Sequence, residues 1–179
     1  MARYALDIEA TGLLDHTSID YSVVPYKLKK SYKIWCAVFV DIDTRERIRL
    51  RPDEVDQIPK IIEDRADMLV LHNGISYDLL ALKLYFGLDY EINEYDYTKC
   101  KVGGKEVAIV DTMILSQYLK PDRIGGHSLH AWGKRLGNLK GDYGEEENAW
   151  DQFTEDMLDY NEQDSDVTAD VFFALIEGS

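Results

Sequence analysis

Cysteine is nearly absent from this sequence. Cys36 and Cys100 are the only two, far apart and outside any CxxC spacing. That excludes a disulfide scaffold and a zinc ribbon. No apolar run approaches the roughly 20 residues that span a bilayer. No charged-then-apolar leader opens the chain, so a cytoplasmic protein with no membrane partner is expected. There is no internal repeat and no low-complexity tract. Basic residues are in deficit: 20 Lys and Arg stand against 34 Asp and Glu, a net charge of −14. Such a chain is a poor general polyanion binder, because nucleic-acid affinity comes mainly from Lys and Arg displacing counterions. The charge does not exclude an enzyme whose carboxylates collect divalent cations, since the ions reverse the sign of the site.

What is present is a globular composition, 45% hydrophobic and 30% charged. The 179 residues are expected to form one domain, 1–179, with a sizeable core. RYALDI (3–8) reads as a buried strand ended by Thr11-Gly12. Residues 13–32 are irregular and polar, with Pro25 and the basic cluster Lys27, Lys29 and Lys30. IWCAVFVDI (34–42) is a central strand, and the alternating RERIRLR (45–51) is its hairpin partner across Asp43-Thr44. Residues 53–64 read as a helix that Pro59 shortens or kinks. MLVLHN (68–73) is a further strand, followed by a helix over YDLLALKLYFG that stops at Gly87. VAIV (107–110) is a strand, DTMILSQYL (111–119) a helix, and 127–137 a short helix ended by Gly137. Residues 138–150 are an acidic loop and 154–177 one long helix. This order predicts an α/β layered sheet with an antiparallel portion and parallel additions.

Three placements of carboxylates depart from that pattern. Asp7 and Glu9 stand two apart in a strand and so share a face. Two like charges there are unfavourable unless a cation lies between them or one is protonated. A strand ending at Leu6, with both acids solvated, fits the same residues. On the terminal helix, Met157, Tyr160, Asp164, Val167, Thr168, Val171 and Leu175 form one stripe. Asp164 lies inside it, where a carboxylate needs a partner, and Tyr160 is one turn away on the same face. A buried Asp bonded to a neighbouring amide is the alternative. Glu162, Asp166 and Asp170 read as the solvated face. Asp78 occupies the first turn of its helix, just after His72-Asn73; complementing the helix dipole is reason enough for it. Four acids from distant segments, each near the end of a buried element, would together suit two hard divalent cations and the metal-assisted displacement of a phosphodiester.

These residues also carry a resemblance. Asp7-Ile8-Glu9-Ala10-Thr11 resembles the first motif, DxE, of the DnaQ-like 3′–5′ exonucleases. Asn73 to Asp78 resembles the second, and Tyr160-Asn161-Glu162-Gln163-Asp164 the third in the YxxxD form that marks the DEDDy subgroup. The strings DTMILSQYL, HSLHAWGKRLGNLKGDY and YNEQDSDVTADVF look like the proofreading exonuclease domain of phage-type family A DNA polymerases. The likeness is weakest over 15–32, and no polymerase follows. The chain is therefore either a stand-alone exonuclease encoded apart from its polymerase or an excised domain.

The resemblance implies a ribonuclease H-like, three-layer fold: a mixed five-stranded sheet with helices on both faces. It implies a 3′–5′ exodeoxyribonuclease that releases 5′-mononucleotides from single-stranded or frayed DNA and uses two divalent cations, Mg²⁺ or Mn²⁺. Asp7 would bridge both ions, Glu9 and Asp164 would complete the tighter site, and Asp78 would hold the second ion largely through water. Tyr160 would orient the attacking water and not act as the base, since an ordinary tyrosine hydroxyl titrates near 10. Leu13 matches a position that packs on the terminal base; a turn leucine folded into the core fits as well. Asn73 and Tyr77 are candidate nucleotide contacts, with strand-end bonding and core packing as alternatives. Asp111 reads as an accessory acid or a helix cap. The expected partners are single-stranded DNA 3′ ends and a separately encoded DNA polymerase, in the host cytoplasm if the chain is phage-encoded. An exoribonuclease of the same superfamily and a non-catalytic polymerase-docking subunit are the competing readings.

Overall fold

The computed structural model describes residues 1–12, 14–87, 90–93, 96–139 and 141–178, without side chains for 90–93 and 96–98. The strands are β1 (Ala2–Ala10), β2 (Ile19–Asp20), β3 (Lys27–Leu28), β4 (Ile34–Asp41), β5 (Arg47–Leu50), β6 (Ala66–Leu71), β7 (Tyr90–Asn93), β8 (Asp96–Val102) and β9 (Lys105–Asp111). The helices are α1 (Ile58–Arg65), α2 (Asp78–Phe86), α3 (Thr112–Leu119), α4 (Leu129–Leu136) and α5 (Glu155–Ile176). The main sheet runs β5-β4-β1-β6-β9-β8-β7, and β2 pairs with β3 in a separate small hairpin. Strands β1, β6 and β9 are parallel; β4 and β5 on one side, and β8 and β7 on the other, pair antiparallel. No helix among the described residues is long and apolar enough to cross a membrane.

The five expected strands are present, and the sheet is seven-stranded rather than five-stranded. The added pair, β7 and β8, lies in YEINEYDYTKCKV, whose charge gives no apolar period. β8 pairs with β9 and β7 with β8; Cys100 and Val102 enter the core, and the charged residues around them are common on sheet edges. A turn signal was in the sequence: Gly103 and Gly104 both take positive φ, 57° and 81°, in the tight β8–β9 connection.

The sheet is covered on both faces. Tyr4, Leu6, Ile8 and Ala10 of β1 point to one core, shared with Ile58 and Ile62 of α1 and Leu79, Ala81 and Leu82 of α2. Ala5 points the other way, into a core with Cys36, Val38 and Val40 of β4 and Met157, Leu158, Ala169 and Phe172 of α5. Strand alternation therefore sends Asp7 and Glu9 to the α5 face. Trp132 of α4, 1% exposed, anchors a third cluster with Val167 and Val171. Its indole donates to Ser116 Oγ (3.1 Å) and lies beneath the guanidinium groups of Arg123 and Arg135.

The outer acids of α5 are not a plain solvated face. Arg45, Arg47, Arg49 and Arg51, alternating along the 45–51 segment, meet them in a ladder. Arg45 pairs with Asp166 (3.1 Å) and Asp170 (2.6 Å), and Arg47 with Glu162 and Asp166 (both 2.9 Å). Arg49 pairs with Asp159 (2.6 Å) and Glu162 (3.1 Å), and Arg51 with Glu155 (2.9 Å). The two periods, two residues on the strand and about 3.6 on the helix, keep step over four arginines. The ladder adds to the buried face of α5, which seats the helix on the sheet and carries Asp164.

Candidate active site

The site sits at the C-terminal ends of parallel strands β1 and β6, a usual place for a functional crevice in an α/β sheet. A cleft of about 340 Å³ is lined by Asp7, Glu9, Asn73, Tyr77, Asp78, Trp150, Tyr160 and Asp164, together with backbone and side chains around Ile8, Ala10, Gly12 and His72. Asp7, Glu9 and Asp164 each present a ligand atom within 4.8 Å of the others'. Asp7 and Glu9 are half-buried, and Asp164 is buried in the helix stripe. Asp78 stands outside this tight trio, at the first turn of α2 and 4% exposed. Burial raises its carboxyl well above the usual range, and the charges of Asp7, Asp111 and Asp164 add to the effect. Leu13 lies outside the described residues.

The structure gives other residues their local reasons. Asn73 is exposed and adopts a left-handed backbone, φ 61°. Gly74 follows because a Cβ there would come within 2.4 Å of Leu71 Cβ. The turn is tied down by Asp111, which accepts from Asn73 N (3.0 Å) and Ile75 N (3.2 Å). The same carboxylate caps α3 through Met113 N and Ile114 N. Asp111 is thus a helix cap and an anchor for the turn that delivers Asp78. Tyr77 donates its hydroxyl to Gly12 O (2.9 Å) and meets Tyr32 Oη at 3.2 Å. Burial first, then Tyr32, raises the Tyr77 hydroxyl far above its ordinary value. His72 bridges Thr112 Oγ1 (2.8 Å) and His127 O (2.9 Å), fastening the end of β6 to α3 and the segment before α4. His127 also meets Ser116 Oγ and Pro121 O, a packing role.

Two neighbours escaped the sequence reading. Asn161, fully buried, donates to Asp7 O (2.9 Å) and to Asp7 Oδ2 (2.8 Å). Its position beside Tyr160, within the buried face of α5, was the available signal. Trp150, from the acidic loop, packs edge-on against Tyr160 at 6.0 Å, with Tyr143 on Tyr160 at 5.8 Å. The Tyr160 ring is held by aromatic walls from a segment whose composition reads only as a polar loop.

The donor set is all oxygen and all carboxylate, converging from β1, α2 and α5. That is the chemistry of a hard divalent cation, not of zinc held by sulfur and imidazole. The residues fit such an ion: Asp7, Glu9 and Asp164 for one site, with Asp78 across the same cleft.

Comparison with known proteins finds relatives of the chain as a whole. The chain is 31% identical over 188 aligned positions to a DNA-directed DNA polymerase of Escherichia phage T7, a match covering 90% of this chain and 25% of the polymerase. It is 32% identical, with the same coverage, to the DNA-directed DNA polymerase of Enterobacteria phage T3. This sequence likeness, with the fold, supports a DnaQ-like 3′–5′ exonuclease domain. The chain spans about a quarter of the length of those two polymerases. No family model matches it. Among solved structures it resembles Escherichia coli RNase D, an exoribonuclease involved in structured RNA processing, with TM-score 0.61 and 16% identity over 99% of this chain and 39% of that one. It also resembles the family B DNA polymerase of Pyrobaculum calidifontis, with TM-score 0.61 and 13% identity over 97% of this chain and 24% of that one. A structure described as the apo form of a nuclease gives TM-score 0.60 at 17% identity, over 98% of this chain and 72% of the other. These structural likenesses show the fold, a ribonuclease H-like mixed α/β sheet with helices on both faces.

Proposed function

We propose that residues 1–179 form one exonuclease domain of the tyrosine-bearing subgroup. It hydrolyses single-stranded or frayed DNA from the 3′ end, releases 5′-mononucleotides, and proofreads for a polymerase that replicates in the same compartment, the host cytoplasm if the gene is a phage gene. The observation that carries this reading is the convergence of Asp7, Glu9 and Asp164 within 4.8 Å, from segments more than 150 residues apart.

Asp7, Glu9 and Asp164 would hold one Mg²⁺ or Mn²⁺, and Asp7 with Asp78 a second. When bound, the two ions supply charge stabilisation at the phosphate and lower the pKa of water. Asn161 keeps the Asp7 carboxylate turned toward the cleft. Tyr160, wedged by Trp150 and Tyr143, directs its hydroxyl at the attacking water and orients it. Water adds to phosphorus, the bond to the 3′ oxygen of the preceding nucleotide breaks, and that oxygen leaves as the new 3′ hydroxyl. Asn73 and Tyr77, on the cleft wall, are placed to border the terminal nucleotide.

DNA is favoured over RNA by the identity to the phage polymerases; the fold likeness to an exoribonuclease keeps RNA as the second reading. A gel time course on matched 5′-labelled DNA and RNA oligonucleotides tests both, with Mg²⁺, Mn²⁺ or EDTA and with the Asp7→Ala/Glu9→Ala protein. A DNA ladder shrinking from the 3′ end, lost in EDTA and in the variant, is the expected result. Preferential loss of RNA would move the assignment to an exoribonuclease. No cleavage under any metal would leave a docking subunit with inherited acids.

A further inference from the structure

The sequence from Tyr21 to Lys33 carries four lysines and no acid, in a chain of net charge −14. The structure gathers these lysines. Lys27, Lys29, Lys30 and Lys33, all exposed, line a groove of about 270 Å³ with Leu28, Tyr32, Leu84 and Tyr85. None of the four is in an ion pair with a described residue. The contrast with the arginines is sharp: Arg45, Arg47, Arg49 and Arg51 are all committed to α5. Asp20, whose carboxylate feels Lys29, turns back on Ser22 N (2.9 Å) and Oγ (2.5 Å).

The groove adjoins the carboxylate cleft. Tyr32 lines the groove, Tyr77 lines the cleft, and their hydroxyls meet at 3.2 Å. Lys33 O accepts from Thr11 N at 3.0 Å, just beyond the strand that bears Asp7 and Glu9. Strand β3 packs on α2, whose first residue is Asp78 and whose last turn supplies Leu84 and Tyr85. At 1.5 Å per residue, that is about 10 Å along the helix, so the groove lies within a short reach of the cleft for the nucleotides that precede the 3′ end. Aromatic surface accompanies the charge. Tyr85 is 37% exposed on the groove wall, and Tyr26, beside Lys27, is 54% exposed and packs edge-on with Tyr21. A basic track flanked by exposed aromatic rings is the combination that holds single-stranded nucleic acid without sequence preference, phosphates on the cations and bases on the rings.

We infer that the groove formed by residues 27–33 and the end of α2 is a single-strand binding site that guides the 3′-terminal nucleotides of DNA into the carboxylate cleft. The inference rests on the hydrolytic reading above for the direction of the strand. It gives an acidic domain a local means of holding a polyanion.

The test is fluorescence anisotropy of a labelled 16-nucleotide oligothymidylate in EDTA, titrated with the full chain between about 20 and 200 mM NaCl. Three proteins are compared: wild type, Lys27→Ala/Lys29→Ala/Lys30→Ala, and a control of equal charge change, Lys60→Ala/Lys101→Ala/Lys134→Ala. The groove variant should bind at least tenfold more weakly than the control, and its log–log salt slope should be shallower by about 2, at roughly 0.7 per phosphate contact. Tyr85→Ala should weaken binding about fivefold or more. Lys→Arg at the three positions should restore it. Equal affinity and slope for the two triple variants would overturn the inference, as would no saturable binding by wild type at the lowest salt. Hydrolysis of the p-nitrophenyl ester of thymidine 5′-monophosphate, which has no upstream phosphate, reports on the cleft separately. It should be the same in the groove variant and wild type. Failure of wild type to cleave the ester or DNA in Mg²⁺ or Mn²⁺ would count against the hydrolytic reading, while the binding result still judges the groove.

Discussion

Asn161 reaches across from α5 and binds Asp7 twice, donating to its backbone carbonyl at 2.9 Å and to its carboxylate at 2.8 Å. One buried amide thus fixes both the strand end and the side-chain direction of the acid that would bridge two cations. Asn161→Ala should keep the fold and lower kcat/KM on a single-stranded oligonucleotide by about 10- to 100-fold, the usual effect of losing a residue that orients a ligand. The apparent Mn²⁺ requirement should rise with it. A metal titration of activity at fixed substrate separates this from a simple loss of stability.

Asp78 gives a pH signature. Its carboxyl is raised by burial first and by Asp7, Asp111 and Asp164 after that, so the native state keeps the proton to higher pH than the unfolded chain. Native protein then binds more protons than unfolded protein. Stability in EDTA must therefore fall as pH rises from about 4, the ordinary Asp value, through the raised native value. Asp78→Asn removes that dependence while also removing activity. Its Tm in EDTA at pH 7 should exceed that of wild type by about 2–6 °C, the equivalent of about 1–2 kcal/mol in a domain of this size. At pH 4 the two should converge.

Asp111 holds four backbone amides from two segments. Asp111→Ala removes a cap, worth about 0.5–2 kcal/mol, and frees the turn before Asp78. A Tm lower by about 2–6 °C is expected, with a fall in kcat larger than the change in KM. Asp111→Asn, which keeps one accepting oxygen, should recover part of both. Equal activity in wild type and Asp111→Ala would show that the turn holds without it.

The arginine ladder is half-exposed, so each pair is modest. Arg47 is the member that bridges Glu162 and Asp166. Arg47→Ala should cost about 1 kcal/mol, a Tm lower by about 2–4 °C. The deficit should shrink as NaCl is raised from about 0.05 to 0.5 M, because screening weakens the ladder in wild type. Thermal melts across that salt range read both effects.

Periodicity settled the apolar strands β1, β4 and β6 and the long helix α5, because buried faces impose their own repeat on a chain. It could not find β7 and β8: β8 pairs with β9 and β7 with β8, and Cys100 and Val102 are too few core residues to impose a visible repeat among the charges. Asp7, Glu9 and Asp164 stand out in the sequence, since a carboxylate in an apolar strand end or helix stripe violates local burial; Asp78 stands out less, because a first-turn acid is accounted for by the helix dipole. Which acids stand together is a different matter. The trio excludes Asp78 because strand alternation turns Asp7 and Glu9 toward α5, whereas Asp78 enters on α2. Asn161, Trp150 and the second role of Asp111 act through space across as many as 154 residues. No local pattern encodes such contacts. Likewise, four arginines and four lysines look alike in composition. Tertiary structure spends the first set on α5 and leaves the second facing solvent, because only the arginines have a helix of acids packed against their strand.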